Sequence, residues 1–286
     1  MEDWERIIFE MDKATNGTVD KFIGSLAKVS KNFYEQVVNY ATQLKLRIGK
    51  DAPKAAEMAE NLRKLTKLNN QLQNLLMQAG YQSEVSTYIS YFQESQKAIN
   101  TYYSAILSDF KPSQELFLEI RKANVATTIE SLLNSGVDAN FIEPVKKVLR
   151  DVVIGNGDYT MLKNQLRDLV IGNDEIESRL KSYVGQVSSD SIKQFQRNYL
   201  KAVSDDIGLK HYLYRGTEIA STRDFCQTRH GKYFTKEQVQ SWSALTWSGK
   251  ARGTDKVTIF TYCGGYACRH ALLPVSETIY KAKTKE

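Results

Sequence analysis

Apolar residues return every three or four positions through most of the first two hundred residues, the period of one helical face. Over residues 20–48 the face is Phe22, Leu26, Val29, Phe33, Val37, Tyr40 and Leu44, which predicts a helix. Pro53 stands near the start of the next, where a missing N–H costs nothing. Its face is Leu62, Leu65, Leu68, Leu72, Leu75 and Leu76, and Gly80 is its expected stop. A third helix is expected over 83–110, carrying Val85, Ile89, Phe92, Ile99, Tyr103 and Ile106, with a break at Pro112. Shorter helices follow at 113–134, ending at Gly136, then at 141–154 and 159–171. The last two end in LRDVVIGN (149–156) and LRDLVIGN (166–173). Their 17-residue offset is shorter than any helical-pair repeat, so they read as two similar helix ends capped by Gly155 and Gly172. A final helix spans 188–207, opened by Ser188, Ser189 or Asp190 and closed by Gly208.

After Gly208 the pattern changes. HYLYRGTEI (211–219) and KVTIFTY (256–262) are rich in β-branched and aromatic residues and read as strands, while TKEQVQSW (235–242) reads as a short helix opened by Thr235. The expected class is α+β: a mainly helical N-terminal region, 1–187, and a small α+β domain, 188–286.

Composition sharpens this division. The chain is 42% hydrophobic and 25% charged, as in globular proteins, and no run of 18 apolar residues suggests a membrane span. The first residues, MEDWERIIFEMD, place acids where a signal peptide needs basic residues. Trp4, Ile7, Ile8 and Phe9 form an apolar cluster that suits an anchor or a buried first helix equally. Of 39 Lys+Arg and 33 Asp+Glu, 12 and 6 fall in 211–286, which leaves 27 and 27 for the rest. The whole net charge of +6 therefore lies in the last 76 residues, with all three cysteines and all three histidines. Three cysteines are too few for a disulfide framework. A local basic excess is compatible with nucleic acid nearby, and the KAKTKE tail supplies part of it.

Chemistry-bearing residues cluster in STRDFCQTRHGKYF (221–234), TWSGK (246–250) and YCGGYACRHALLPVS (262–276). With the helix at 190–209 and the strand at 211–216, these pieces resemble the C-terminal domain of the phage Mu F-like head-morphogenesis family. The matching parts are the turn TRDFC (222–226), the run GKYF (231–234) and the motif CRH (268–270), in that order across roughly 90 residues. The resemblance implies a minor virion protein of a tailed phage, made in the bacterial cytoplasm and resident at the capsid interior or portal vertex. It implies the portal protein and inner capsid as partners, with packaged DNA possible, and a role in head assembly, DNA packaging or ejection. It implies neither a membrane nor a small-molecule substrate. The first 185 residues show no resemblance beyond being helical.

Cys226 and His230, then Cys263, Cys268 and His270, form two groups joined by a loop, the ligand types and grouping of a tetrahedral structural zinc. Gly264 and Gly265 allow a tight turn between ligands. The family often carries Cys-x-x-Cys and Cys-x-Cys; this chain has Arg229 at the second cysteine's place and His270 at the last. Buried thiols, or one disulfide between Cys226 and Cys268, remain the alternative to a single structural zinc, which would be the only cofactor. Arg215, Arg223, Asp224 and Arg269 suit an ion-pair network ordering the turn; Arg215, Arg223, Arg229 and Arg269 also suit phosphate contact. Lys232, Lys250, Arg252 and Lys256 are candidate nucleic-acid or portal contacts, beside Trp242 and Trp247, which read as core packing with base stacking as the other use. His230 with either Cys226 or Cys268 would suit a nucleophile–base pair, and a virion-delivered nuclease or toxin-like enzyme is the alternative function. The chain lacks a P-loop, a dinucleotide fingerprint, H-E-x-x-H and a nucleophile elbow, so no enzyme is expected.

Overall fold

A computed structural model describes residues 2–111 and 113–285. Pro112, the expected break, lies outside the described residues. The chain is mainly helical with one small antiparallel sheet, the expected α+β class. No helix among the described residues is long and apolar enough to cross a membrane.

Four long helices dominate: α1 (Asp3–Ala41), α4 (Tyr81–Ile106), α5 (Gln114–Leu133) and α9 (Arg179–Asp206). Between them lie α2 (Ala55–Asn69), α3 (Leu72–Gln78), α6 (Ser135–Val137), a π turn (Asp138–Ile142), α7 (Glu143–Ile154) and α8 (Tyr159–Val170). The chain divides into two compact units, Val19–Ile89 with Thr127–Val187, and Met1–Thr18 with Ser90–Ala126 and Ser188–Glu286. Residues 1–18 and 90–126, counted by sequence with the helical region, thus cluster with the C-terminal α+β segment.

The first unit is all helical. Phe22 stacks on Tyr88 (4.9 Å, 12°) and Phe33 packs on Phe141 (5.4 Å). Asn61, buried on α2, both accepts from the Lys45 N–H and donates to the Lys45 carbonyl, each at 2.8 Å. The two similar helix ends differ in mechanism: Gly172 takes the left-handed backbone (φ +83°), whereas after α7 Gly155 stays at φ −77° and Asn156 turns left-handed instead. Gly136 does not end a helix; it lies within α6, where any side chain would strike the Ser131 carbonyl and Tyr183 hydroxyl.

The second unit buries Trp4, Ile8 and Met11 of α1, so the N-terminal cluster is a packed helix face, with Phe9 left exposed. Phe92 of α4 meets Phe195 of α9 at 5.2 Å, and the Tyr103 hydroxyl donates to the Leu200 carbonyl at 2.6 Å. Helix α9 runs unbroken through Ser188–Asp190, where the sequence suggested a start; the Ser178 hydroxyl, ten positions earlier than Ser188, accepts from the Lys181 N–H. Leu180 and Val184 extend the buried face backward, and packing outweighs the cap-like residues.

The sheet has the order β2-β1-β3: β1 (His211–Gly216) is central, β2 (Tyr233–Thr235) and β3 (His270–Val275) flank it antiparallel. Tyr212, Leu213 and Tyr214 are consecutively buried, so both faces of β1 are covered. Pro274 is tolerated because β3 is an edge strand. The stretch KVTIFTY is not a strand. Asp255 accepts from the Val257 and Thr258 N–H groups (2.8 and 2.7 Å) while its own N–H donates to the Thr258 hydroxyl, a local cap that leads into α12 (Ile259–Tyr262). The expected helix α11 (Lys236–Ser241) forms with a capping box from Thr235 and Gln238. A short α10 (Asp224–Gln227) and a terminal α13 (Glu277–Thr284) complete the chain.

Candidate metal centre

Register explains why the cysteine and histidine motifs meet. Gly216 pairs with His270, Tyr214 with Leu272 and Tyr212 with Pro274, so Tyr212, Tyr214 and His270 share one sheet face. The His270 ring stacks on Tyr214 at 5.2 Å and 9°. Cys268, two positions before His270 on the approach to β3, reaches the same face. Helix α10 brings Cys226 to the same centre, within one apolar cluster that also holds Phe225, Trp242 and Ile259.

Cys226 Sγ and Cys268 Sγ lie 3.9 Å apart as free, buried thiols. The Tyr214 hydroxyl donates to Cys226 Sγ at 3.3 Å, and the His270 backbone N–H donates to Cys268 Sγ at 3.4 Å. Cys226, Cys268 and His270 each offer a ligand atom within 4.8 Å of the other two. His230 Nδ1 stands 3.2 Å from His270 Nε2, and with Glu218 it makes a second group that shares His270. Burial lowers the His230 pKa, favouring its neutral ring. The hydrogen bond between the thiols pushes Cys226 up and holds Cys268 well below the ordinary thiol range, with His270 and Arg197 acting on Cys268 in the same direction.

Cys263 does not join the expected ligands. Its Sγ is directed at the Phe260 carbonyl (3.4 Å), and burial pushes it up to about 12. It ends α12 with a left-handed φ of +47°, which turns its side chain into the core and delivers Gly264 to the thiols. A Cβ on Gly264 would fall on Cys226 Sγ and lie 2.9 Å from Cys268 Sγ.

Two further residues shape the site and escape the sequence reading. Arg197 of α9, 7% exposed, donates to the carbonyls of His270 (3.0 Å), Thr261 (3.3 Å) and Cys268, tying down the ligand-bearing segment. An arginine in a helix otherwise reads as a solvated position. Tyr214 was legible only as a strand residue, although its parity with Tyr212 placed it on a single face.

The expected ion-pair network among Arg215, Arg223, Asp224 and Arg269 does not form. Arg223 donates to the Tyr266 carbonyl at 2.6 Å instead, while Asp224 is exposed in the first turn of α10 and Arg269 is exposed beside the ligands. For Arg223, a backbone carbonyl of the loop supplies the acceptor that a carboxylate was expected to supply. Lys250 is likewise tied inward: its ammonium donates to the Ser243 (2.6 Å) and Leu245 (2.8 Å) carbonyls and lies over Trp247. Lys232, Arg252 and Lys256 are exposed. Trp242 is 5% exposed, and Trp247 stacks on Phe225 at 4.0 Å, so both pack into the domain.

A cleft of about 430 Å³ is lined by Cys226, Cys268 and His270, with Thr222, Arg223 and Arg269 at its wall. A larger cleft of about 980 Å³, formed by the loop over Thr42–Lys54 with Tyr159, lies in the all-helical unit and holds no comparable group of ligands. The candidate ligand atoms are at the smaller one. No family model, no curated protein and no solved structure matches the chain.

Proposed function

We propose that the chain is a minor structural protein of a tailed-phage virion, of the Mu F-like head-morphogenesis type, acting by position rather than by turnover. The observation that carries this reading is the convergence of its motifs. The TRDFC turn and the CRH motif, some forty residues apart, meet at one buried centre, and GKYF forms the strand that pairs beside β1. An ordered motif set that folds into one interlocked centre is what a family signature requires, and it supports the resemblance beyond the order of letters. The exposed Lys232, Arg252 and Lys256 give the same domain a cationic surface suited to portal loops or packaged DNA. The long helices supply docking length. Residence at the capsid interior or portal vertex follows from this role.

The nuclease alternative has one observation in its favour, the imidazole pair His230–His270 with Arg269 beside an open cleft. Against it, Glu218, the carboxylate grouped with these imidazoles, is exposed and does not line that cleft. Quantitative mass spectrometry of purified virions, before and after DNA release, tests the main reading. The chain should be present in few copies per particle. Its absence from the particles would overturn the reading, and nucleic-acid cleavage abolished by His230→Ala would establish the alternative.

A further inference from the structure

We infer that Cys226, Cys268 and His270 form a zinc site whose fourth coordination position opens onto the cleft, with His230 as the residue that positions His270. The inference is independent of the virion role, because it stands on side-chain geometry alone.

Four observations converge. First, a tetrahedral zinc with Zn–S bonds of about 2.3 Å sets its sulfurs roughly 3.8 Å apart; the two sulfurs stand at 3.9 Å without a covalent bond. Second, a ring nitrogen of His270 lies within the same 4.8 Å group, completing three soft or borderline donors of the kind zinc selects. Third, the surroundings supply what metal-bound thiolates and imidazoles use. Tyr214 O–H and the His270 N–H donate to the sulfurs, and His230 Nδ1 meets His270 Nε2, holding the ring's orientation. Fourth, Gly264 closes the thiols from one side, where a methyl group would not fit, while the cleft reaches all three donors from the other.

The assignment separates residues that spacing alone had grouped together. Cys263 is excluded by its direction, and His230 moves from ligand to partner of a ligand. On binding, both thiols give up their protons to solvent and coordinate as thiolates. Three protein donors leave one position for water or an incoming donor, so the centre is coordinatively open rather than closed.

The full chain, purified from zinc-supplemented medium, should carry about one zinc per molecule by elemental analysis. After exchange, cobalt(II) should give an intense four-coordinate visible spectrum with a thiolate-to-cobalt charge-transfer band. Cys226→Ser, Cys268→Ser and His270→Gln should lose stoichiometric metal, and Cys263→Ser should retain it. His230→Gln should keep the stoichiometry while weakening zinc affinity roughly 10- to 100-fold. The wild-type cobalt spectrum needs no variant to fold, so it remains decisive if the serine variants aggregate. A wild-type chain with neither zinc nor a charge-transfer band, or with Cys226 and Cys268 recovered as a disulfide, overturns the site. Loss of metal in His230→Gln as complete as in His270→Gln overturns the three-donor assignment.

Discussion

The Tyr102 hydroxyl donates to the carbonyl of Pro274, a residue 172 positions further along the chain. Helix α4 is thereby fixed to the edge strand of the sheet. Tyr102→Phe should cost about 1–2 kcal/mol in urea denaturation, because the buried carbonyl loses its donor and cannot regain water. The same relationship predicts that residues 188–286 expressed alone lack a cooperative thermal transition by circular dichroism. A sharp transition in that fragment would show that the sheet needs no helix from the first 126 residues.

Glycine substitutions should separate the centre from the scaffold. Gly264→Ala drives a methyl into both thiols and should destabilise by about 1–3 kcal/mol. Gly24→Ala, exposed on α1 with nothing within 4 Å of the added Cβ, should instead stabilise by about 0.5–1 kcal/mol. Opposite signs in the two denaturation midpoints are the expected result.

Lys193 links stability to alkaline pH. Burial, then Arg197 and Arg269, lower its pKa to about 8, with Asp12 and Cys268 opposing. The folded state therefore releases the proton near pH 8, and the unfolded state holds it to about 10.5. Between those values the unfolded chain binds more protons, so this group's contribution to stability rises as pH increases. Lys193→Met should remove that rise, read as the difference between wild-type and variant melting curves from pH 7 to 10.

Arg229 lies over Phe225 (3.9 Å from guanidinium to ring centre) and Trp242 (4.8 Å), and donates to the Phe225 carbonyl. Arg229→Lys should cost nearly as much as Arg229→Ala, about 1–2 kcal/mol, because an ammonium cannot lie flat on the rings. Tryptophan fluorescence during urea unfolding measures both.

Periodicity made the long helices legible where one apolar face decides the structure, as from Phe22 to Val37. It failed where polar residues serve inside a helix. Thr15 back-bonds to the Met11 carbonyl at 2.8 Å and joins Gln196 and Ser95 in a buried cluster, and α1 runs through these residues ahead of the expected start at 20. Asp255 produced the opposite failure, since its local cap converts a β-rich stretch into a helical turn. At the centre, Cys226, Cys268, His230 and His270 were legible by type and spacing. The exclusion of Cys263 was not, because it follows from one left-handed residue at the end of α12. Arg197 was also hidden, because its acceptors are backbone carbonyls that no side-chain pattern reveals.

The two compact units are interleaved along the chain, and this sets an order of assembly during synthesis. The all-helical unit has all its residues once Val187 has been added. The other cannot close until Ser188–Glu286 have been added, because Thr15 of α1 takes its buried partner Gln196 from that segment. Residues 1–18 are thus separated from that segment by both stretches of the all-helical unit, and α4, whose Tyr91 meets Thr15, is the element of their own unit that can hold them in the interval.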